Sequence, residues 1–267
     1  MTNEPSVPAT FPFGQPLRRV VQKPGAPKEA FILGVYASAV HARWIGPHGK
    51  VLVKALAVDS EPEIFWRGDD APMIISKIMV PEGAGRLVAP NEGHNGPSGQ
   101  ALDNCFLKPL GLNRDQVWLC DLLPESRMNP AQKKALDKTY NKMTKQLGLP
   151  SVTIPPFDKN KTCDDGRRKE ICDELRRSGA KKLILLGDQP IKQFLRPMSD
   201  IKAKDLDAFT KLAGGYGKGV KAKVCDVEIE VVGLCHPRQA AQLGRNSRKW
   251  HEMHKLWLTE LGVSAKC

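Results

Sequence analysis

The residues best suited to chemistry lie near the C-terminal end of the chain, at His236, Pro237 and Arg238. They follow Val227–Leu234, which alternates acidic and apolar residues and then turns wholly apolar, a pattern typical of a strand entering a buried sheet. Pro237 cannot donate a hydrogen bond to a neighbouring strand, so we expect the strand to end there with His236 at its carboxyl end. An open α/β sheet binds ligands at this end of its strands. A turn with a solvated charge cluster is an equally weighted alternative.

Carboxylates accompany two other predicted strands. Asp121 interrupts the apolar end of the strand predicted at 116–123, and a buried carboxylate there costs free energy unless it binds something. Asp59 begins the stretch 59–66, which has three carboxylates and two large aromatic residues at the end of a strand predicted at 50–58. The alternatives are a helix cap or a partner of a nearby arginine for Asp121, and a solvated loop acid for Asp59.

The first predicted strand, Ala30–Tyr36, is a short apolar run that we expect to be buried on both faces. The small residues after it would let backbone amides approach a ligand closely. His41 and Arg43 add a titratable group and a cation to this segment. A histidine in such a segment is more often a surface or core residue than a catalytic one, and this is the alternative for His41.

The composition favours a single globular domain that binds a polyanion. The chain has 267 residues, of which 41% are hydrophobic, and its formal net charge is +12. Phosphate neutralisation supplies most sequence-independent binding to nucleic acid, so DNA is the partner that we expect first. One alternative partner is an anionic membrane surface, but binding to it would require an amphipathic helix with exposed apolar side chains. Another alternative is that the excess charge only keeps the protein soluble. Because no apolar run is long enough to span a membrane and no secretory core is present, we expect a soluble, cytoplasmic protein.

The seven cysteines predict neither structural zinc nor a disulfide framework. Their number is odd, no CxxC pair occurs, and several lie in apolar runs where a small core residue is expected. Their spacing does not suggest an iron–sulfur cluster. We therefore expect no metal and no organic cofactor.

The chain is predicted to consist of a flexible N-terminal arm, 1–29, and one α/β domain, 30–267. Four apolar strands alternate with helices, which predicts a three-layer α/β/α sandwich around a central, mainly parallel four-stranded sheet. A long excursion, 67–97, includes one predicted short strand at 74–80, and long loops of this kind tend to be functional or mobile. The glycine cluster at 214–219 lacks a nucleotide-loop ending, so we interpret it as a flexible turn.

The order of these pieces resembles that of the uracil-DNA glycosylase superfamily. The resemblance is carried, in chain order, by LGVYASAVHARW, SGQALDNCFLKPLGLNRDQVWLCDLLPESRMNP, RRSGAKKLILLGDQPIKQFL and GLCHPRQAAQLGRNSRKW. In the family these places hold the first strand with its catalytic loop, a helix and the base-reading strand, a helix leading to a further strand, and a final strand with a His-Pro-Ser loop. The resemblance covers roughly 31–261 apart from the excursion.

The resemblance implies catalytic roles for three residues. His236 would donate a hydrogen bond to the pyrimidine O2 and so stabilise the negative charge that leaves with the base. A structural histidine at the strand end is the alternative. Asp121 stands where the family has its base-reading Asn, and it would accept a hydrogen bond from the base or orient the water. Asp59 is the alternative residue for positioning the water.

Besides Asp121, the chain departs from the family pattern at four further positions. Val35 and Tyr36 stand where the family has the acid that positions the water, Ala37 replaces a proline, and Arg238 replaces the serine after His-Pro. The catalytic acid has therefore either moved or been lost.

Removing a base from DNA requires flipping it into a pocket, which calls for a stacking aromatic, a wedge and phosphate contacts. We expect Phe65 to stack on the base, ahead of Tyr36 and Trp66, in a pocket that includes Ala37 and His41. The residues expected to contact DNA are Arg238, Arg245 and Arg248 at phosphates, with Gln239 or Leu243 as the wedge.

Three functions stay open. The first is a monofunctional glycosylase, acting as a monomer, that releases uracil or a related base such as hypoxanthine from single- or double-stranded DNA. The second is a DNA-binding module that keeps the fold but has lost the water-activating acid. The third is an N-glycoside hydrolase of small molecules, for which the cationic loop would be superfluous. We expect the first.

Overall fold

Four of the apolar runs form parallel strands of one sheet, as predicted. The computed structural model describes residues 9–91, 93–243 and 248–263. Its strands are β1 (Ala30–Tyr36), β2 (Ala39–Ile45), β3 (Val51–Ser60), β4 (Arg86–Val88), β5 (Val117–Leu123), β6 (Lys182–Leu186), β7 (Gly219–Val224) and β8 (Val227–Leu234). The main sheet has the order β5-β1-β6-β8-β7, and of these five strands only β7 is antiparallel. The predicted α/β class is confirmed, but the sequence analysis missed β7, whose exposed lysines dilute its apolar face.

Helices cover this sheet. Neither face of the central strands reaches solvent, because Phe31, Ile32, Leu33, Ile184 and Leu185 are all at most 1% exposed. This burial is consistent with a three-layer sandwich. The α-helices are α1 (Ala71–Ser76), α2 (Pro97–Leu102), α3 (Pro130–Ala135), α4 (Asn141–Leu147), α5 (Asp165–Ser178), α6 (Asp188–Pro190), α7 (Arg196–Met198), α8 (Leu206–Leu212), α9 (Pro237–Ala240) and α10 (Arg248–Glu260). π-Helical turns lie at Asp103–Leu107, Leu136–Tyr140 and Ile191–Leu195, and 3-10 helices at Pro12–Gly14, Lys108–Leu110 and Arg114–Gln116.

A second sheet, antiparallel and of order β3-β2-β4, contains residues that the sequence analysis placed elsewhere. β2 covers residues that were not predicted as a strand, and β3, predicted as a strand at 50–58, pairs with β2. Val40, Ala42 and Trp44 are fully buried at every second position of β2. The small and charged residues between them obscure this strand period in the sequence.

The strand predicted at 74–80 is wrong, because the chain forms α1 there. Ile75 and Ile78 are both buried three residues apart, and Pro72 stands in the first turn. An apolar run this short does not reveal its period in sequence. The excursion that contains α1 is tied to β2, since the Trp44 indole N–H donates to the Ala84 carbonyl at 2.7 Å.

A continuous helical run from Pro130 to Leu147, which we call the lysine helix, consists of α3, the π-helical turn and α4. Its inner face packs on the second sheet through buried Leu136 and Tyr140. The Tyr140 hydroxyl accepts the Phe13 N–H at 2.9 Å and donates to the Pro150 carbonyl at 3.0 Å. The helix is therefore fixed from inside by both packing and hydrogen bonds.

The described part of the predicted arm packs on the domain. Phe11, Phe13 and Val20 are at most 6% exposed, and Arg19 pairs with Glu170 at 2.6 Å. These contacts anchor residues 9–29, whose few apolar side chains are spaced too irregularly to predict an element.

The glycine cluster also packs on the domain. Gly217 has a φ of 73° and lies so close to the Trp257 indole that a Cβ there would overlap it. The neighbouring Tyr216 is buried, and its hydroxyl accepts the Cys235 N–H at 2.9 Å. The interpretation as a flexible turn missed this contact because it depends on a residue distant in the chain.

Two described cysteines form a disulfide that the cysteine spacing did not predict. It joins Cys172 in α5 to Cys225 after β7, 53 residues apart. Spacing along the chain cannot reveal that a helix and a hairpin turn are neighbours. Over the ranges that the structure describes, no group of three His, Cys, Asp or Glu residues is placed to bind a metal ion. No helix within those ranges combines the length and the apolar character needed to cross a bilayer.

A buried arginine ties α5 to the end of β5. Arg167, 8% exposed, donates to the Glu174 carboxylate at 2.9 Å and to the carbonyls of Asp121 at 2.7 Å and Leu122 at 3.3 Å. Glu174 also accepts the Trp118 indole N–H at 3.0 Å. A buried polar network of this kind is stable only while every member has its partner.

We predict that Arg167→Met lowers the free energy of unfolding by about 3–5 kcal/mol, because it leaves a buried carboxylate and two carbonyls without their donor. Urea unfolding followed by circular dichroism measures this loss. Arg176→Met is the matched control, since its pair with Asp173 is exposed and should contribute at most about 1 kcal/mol. Equal losses in the two variants would contradict the prediction.

Candidate active site

A cavity of about 380 Å³ opens where the carboxyl ends of β1, β5, β6 and β8 meet. Parallel strands deliver side chains from distant parts of the chain to this one edge. The polar and aromatic residues that line it are Tyr36, Ser38, His41, Glu61, Phe65, Trp66, His94, Ser98, Asp121, Phe157, Asp188, Gln189, His236, Arg238 and Gln239.

The cavity brings together seven residues that the sequence analysis assigned to the site, namely Tyr36, His41, Phe65, Asp121, His236, Arg238 and Gln239. It does not include Ala37, Asp59, Leu243 or Arg248. Arg245 lies outside the described residues. The proximity of the seven is a finding, whereas their roles stay predictions.

His236 is fixed at the end of β8 as the N-cap of α9. Its Nδ1 accepts the Arg238 N–H at 3.2 Å, and its own N–H donates to Gln239 Oε1 at 3.1 Å. Because Nδ1 is an acceptor, a neutral ring carries its proton on Nε2. Burial, followed by the Arg238 charge, lowers the pKa of His236 to about 4. At pH 7 the ring is therefore a neutral Nε2–H donor.

Asp121 is 3% exposed and lines the cavity, and no side chain or N–H in the described part of the chain hydrogen-bonds to its carboxyl. The carboxyl lies over Gly34 on the neighbouring strand, where a Cβ would overlap Oδ1. Burial raises the pKa of Asp121 to about 7, although the Arg167 charge opposes the rise. Both protonation states are therefore populated near neutrality.

Glu61 is a second buried carboxyl of the cavity, and the sequence analysis missed it. It is 3% exposed, and its Oε1 accepts the Ser38 N–H at 2.9 Å. Burial, followed by the Asp121 charge, raises the pKa of Glu61 well above its usual range. The Asp121 charge therefore favours the protonated form of Glu61. The acidic stretch 59–66 was the available signal, but within it the sequence favoured Asp59.

Asp59 and Ala37 do not reach the cavity, contrary to their predicted roles. The buried Asp59 carboxylate pairs with Arg18 at 2.9 Å, so its charge is used to fix the N-terminal segment. Ala37 is fully buried, and its N–H donates to the Leu123 carbonyl at 3.1 Å, which continues the pairing of β1 with β5.

Phe65 forms part of the cavity wall through a backbone conformation that is unusual for its residue type. Its φ of 53° lies in the left-handed region, and its carbonyl accepts from Arg114 Nη2 at 2.7 Å. Its ring centroid lies 6.2 Å from that of His236. Such strain persists only where the surroundings enforce it, and it concentrates at functional sites.

Tyr36 and Phe157 form a second aromatic surface, with ring centroids 4.9 Å apart. Phe157 lies in the segment between α4 and α5, to which the sequence analysis assigned no role. Its N–H donates to the Met128 carbonyl at 3.0 Å, which holds the segment at the cavity rim. No sequence pattern indicated this position.

The excursion shapes the wall around His41. Asn95 binds the His41 backbone on both sides, since its Oδ1 accepts the N–H at 2.8 Å and its Nδ2 donates to the carbonyl at 3.0 Å. Burial, followed by the charge of His94, lowers the pKa of His41 to about 4. Its buried Nδ1 has no hydrogen-bond partner among the described residues. His41 therefore presents a neutral ring to the cavity.

Gln189, to which the sequence analysis assigned no role, adds a hydrogen-bond acceptor to the cavity. It follows Gly187, whose φ of 91° turns the chain at the end of β6. The buried Oε1 of Gln189 has no partner within the described ranges. The adjacent Asp188 is occupied, because its Oδ1 accepts the Leu206 N–H at 3.0 Å.

The chain matches no protein-family model, and no curated protein matches it at a significant level. The resemblance to uracil-DNA glycosylases therefore rests on the quoted segments, and the cavity is the structural feature that bears on function.

We predict that His236 stays neutral, with its proton on Nε2, from pH 7 down to about pH 5, and titrates with a pKa of about 4. Long-range ¹H–¹⁵N correlation spectra of the imidazole rings measure both the tautomer and the pKa. Arg238→Gln is the control: it should raise the pKa of His236 but leave it below 6.5, because burial is the larger cause. Titration of His236 near 6.5 in the unmodified protein would refute the neutral-donor assignment.

Proposed function

We propose that this protein is a DNA glycosylase that hydrolyses the N-glycosidic bond of a flipped base such as uracil or hypoxanthine. One observation carries the proposal: a cavity at the strand ends joins a neutral histidine donor, His236, to the buried carboxyl of Asp121, to which no described residue hydrogen-bonds, between aromatic surfaces. An extruded base requires a stacking surface, a polar reader of its edge and a donor for the charge that it acquires. The cavity volume lies in the range of small-ligand pockets.

The hydrolysis is divided between the two polar groups. The Asp121 carboxylate accepts a proton from the attacking water, whose oxygen bonds to C1′ of the sugar. The C1′–N bond breaks, and its electron pair leaves with the base. The His236 Nε2–H donates to the base oxygen that gains negative charge. Glu61, which accepts the Ser38 N–H, borders the same cavity, and its raised pKa favours the neutral form.

The surrounding residues fit the needs of a flipped nucleotide. Phe65 and Tyr36 offer aromatic faces for the base, and Gln189 Oε1 offers an acceptor for its edge. Arg238 is exposed at the cavity and suits a flanking phosphate, with Gln239 beside it as the wedge. Leu243 and Arg248 would then contact the duplex outside the cavity. A monomeric state and a cytoplasmic location stay predictions from the sequence.

We predict that the protein converts oligonucleotides carrying one uracil, or one hypoxanthine, into abasic products that alkali cleaves. His236→Ala should slow single-turnover excision by about 100-fold or more, since it removes the donor to the leaving base. Asp121→Asn should slow it by about 100- to 10,000-fold, since an amide cannot accept the proton. Asp59→Asn is the control and should excise at nearly the wild-type rate, because Asp59 lies outside the cavity.

Other outcomes of this assay favour the rival functions. Tight, salt-sensitive binding of DNA without any product would support the catalytically silent DNA-binding module. Release of base from free nucleosides only would support the small-molecule hydrolase. Activity that survives Asp121→Asn but fails in Asp59→Asn would return the water-positioning role to Asp59.

We also predict that single-turnover excision accelerates as pH rises through about 7 and levels off above it. The raised pKa of Asp121 means that the carboxylate, the form that accepts the proton, is fully populated only above pH 7. His236 contributes no limb in this range because it titrates near pH 4. A rate that falls through pH 7 would instead mean that protonated Asp121 donates a hydrogen bond to the base.

A further inference from the structure

The outer face of the lysine helix carries a stripe of four exposed cations, Lys134, Lys138, Lys142 and Lys145. Spacings of four, four and three residues place them on one side of the helix. All four are exposed, and none has an ion pair with any described residue. The acid nearest to them in this helix, Asp137, already pairs with Lys133 at 2.9 Å.

Helix stability does not account for this lysine stripe. Like charges three or four residues apart on a helix destabilise it by about 0.2–0.5 kcal/mol per pair. The helix is instead held by its buried inner face and by the hydrogen bonds of Tyr140. Removing the four charges should therefore leave the fold intact, which separates binding from stability in an experiment.

The lysine helix begins next to the cavity and runs away from it along the second sheet. The Met128 carbonyl, two residues before the helix, accepts the N–H of cavity-lining Phe157 at 3.0 Å. Gln132 in the first turn then binds the β3 backbone, accepting the Ala57 N–H at 2.9 Å. At 1.5 Å per residue, the four lysines span about 16 Å.

We propose that the lysine stripe is a second DNA-contact surface, which binds phosphates of the duplex flanking the flipped base. One strand of duplex DNA presents a phosphate about every 3.4 Å along the axis, so the stripe spans roughly four or five of them. Lysines act as point charges and suit sequence-independent phosphate contacts. The inference rests on the proposed function for the identity of the partner, but it does not require excision.

The test is a salt titration of binding to an undamaged 20-base-pair duplex. A variant with Lys134, Lys138, Lys142 and Lys145 all changed to Gln should reduce the slope of log K against log salt by about 3–4 if each lysine binds one phosphate. The matched control changes the exposed, unpaired Lys169, Lys181, Lys221 and Lys255 to Gln, which removes the same charge elsewhere. It should change the slope by less than about 1. Both variants should keep the wild-type thermal midpoint.

The outcomes distinguish this inference from the proposed function. Equal slope changes in the two variants, or no duplex binding by the wild type, would overturn the inference. Loss of binding to phosphatidylserine vesicles with an unchanged DNA slope would overturn it in favour of an anionic membrane surface. If the lysine variant has a reduced slope of log K against log salt but the wild type excises no base, the inference about the lysine stripe is supported and only the glycosylase proposal is overturned.

Discussion

The absence of a side chain at Gly34 is the constraint on which the cavity depends. Gly34 pairs with Asp121 in the register of β1 and β5, and a Cβ there would overlap the Asp121 carboxyl and crowd the Phe65 ring. The strand pairing thus creates a space at the buried end of the sheet that only a glycine leaves open. A carboxyl and an aromatic ring occupy that space together, so strand register and cavity chemistry are set by the same residue.

Buried charges also fix the end of β5, the strand that carries Asp121. Arg167 binds the backbone carbonyls of Asp121 and Leu122 and is itself neutralised by Glu174. Burying an arginine is costly unless its donors are satisfied, and here they also fix the backbone that carries the cavity carboxyl. The positive charge of Arg167 lowers the pKa of Asp121 and partly offsets burial, so the carboxyl titrates near neutrality. Stability and protonation at this site therefore share one network.

The sequence analysis predicted those features of the fold that depend on local patterns of residues. The apolar runs of β1, β5, β6 and β8 were recognisable, and since parallel strands end at one edge, His236 and Asp121 could be placed together. Glu61 could not be separated from its neighbour Asp59, because β3 belongs to a second sheet whose position follows from pairing with β2. The Tyr216 hydroxyl accepts the N–H of Cys235, the residue before His236, and Phe157 lines the cavity. Both positions depend on contacts between segments that are far apart in the chain. Such contacts leave no periodicity in either segment.

The charges around the cavity suit a reaction that transfers a negative charge from one group to another and leaves the net charge of the cavity unchanged. His41 and His236 are neutral at pH 7, Arg238 is exposed at the cavity, and the buried Asp121 carboxyl titrates near pH 7. A fixed carboxylate would repel an anionic base. If Asp121 takes the proton of the attacking water as the C1′–N bond breaks, however, the charge passes from the carboxyl to the departing base and the net charge of the cavity is unchanged. A low-dielectric site penalises the creation of charge far more than its transfer between neighbouring groups, so this coupling makes a buried carboxyl compatible with hydrolysis.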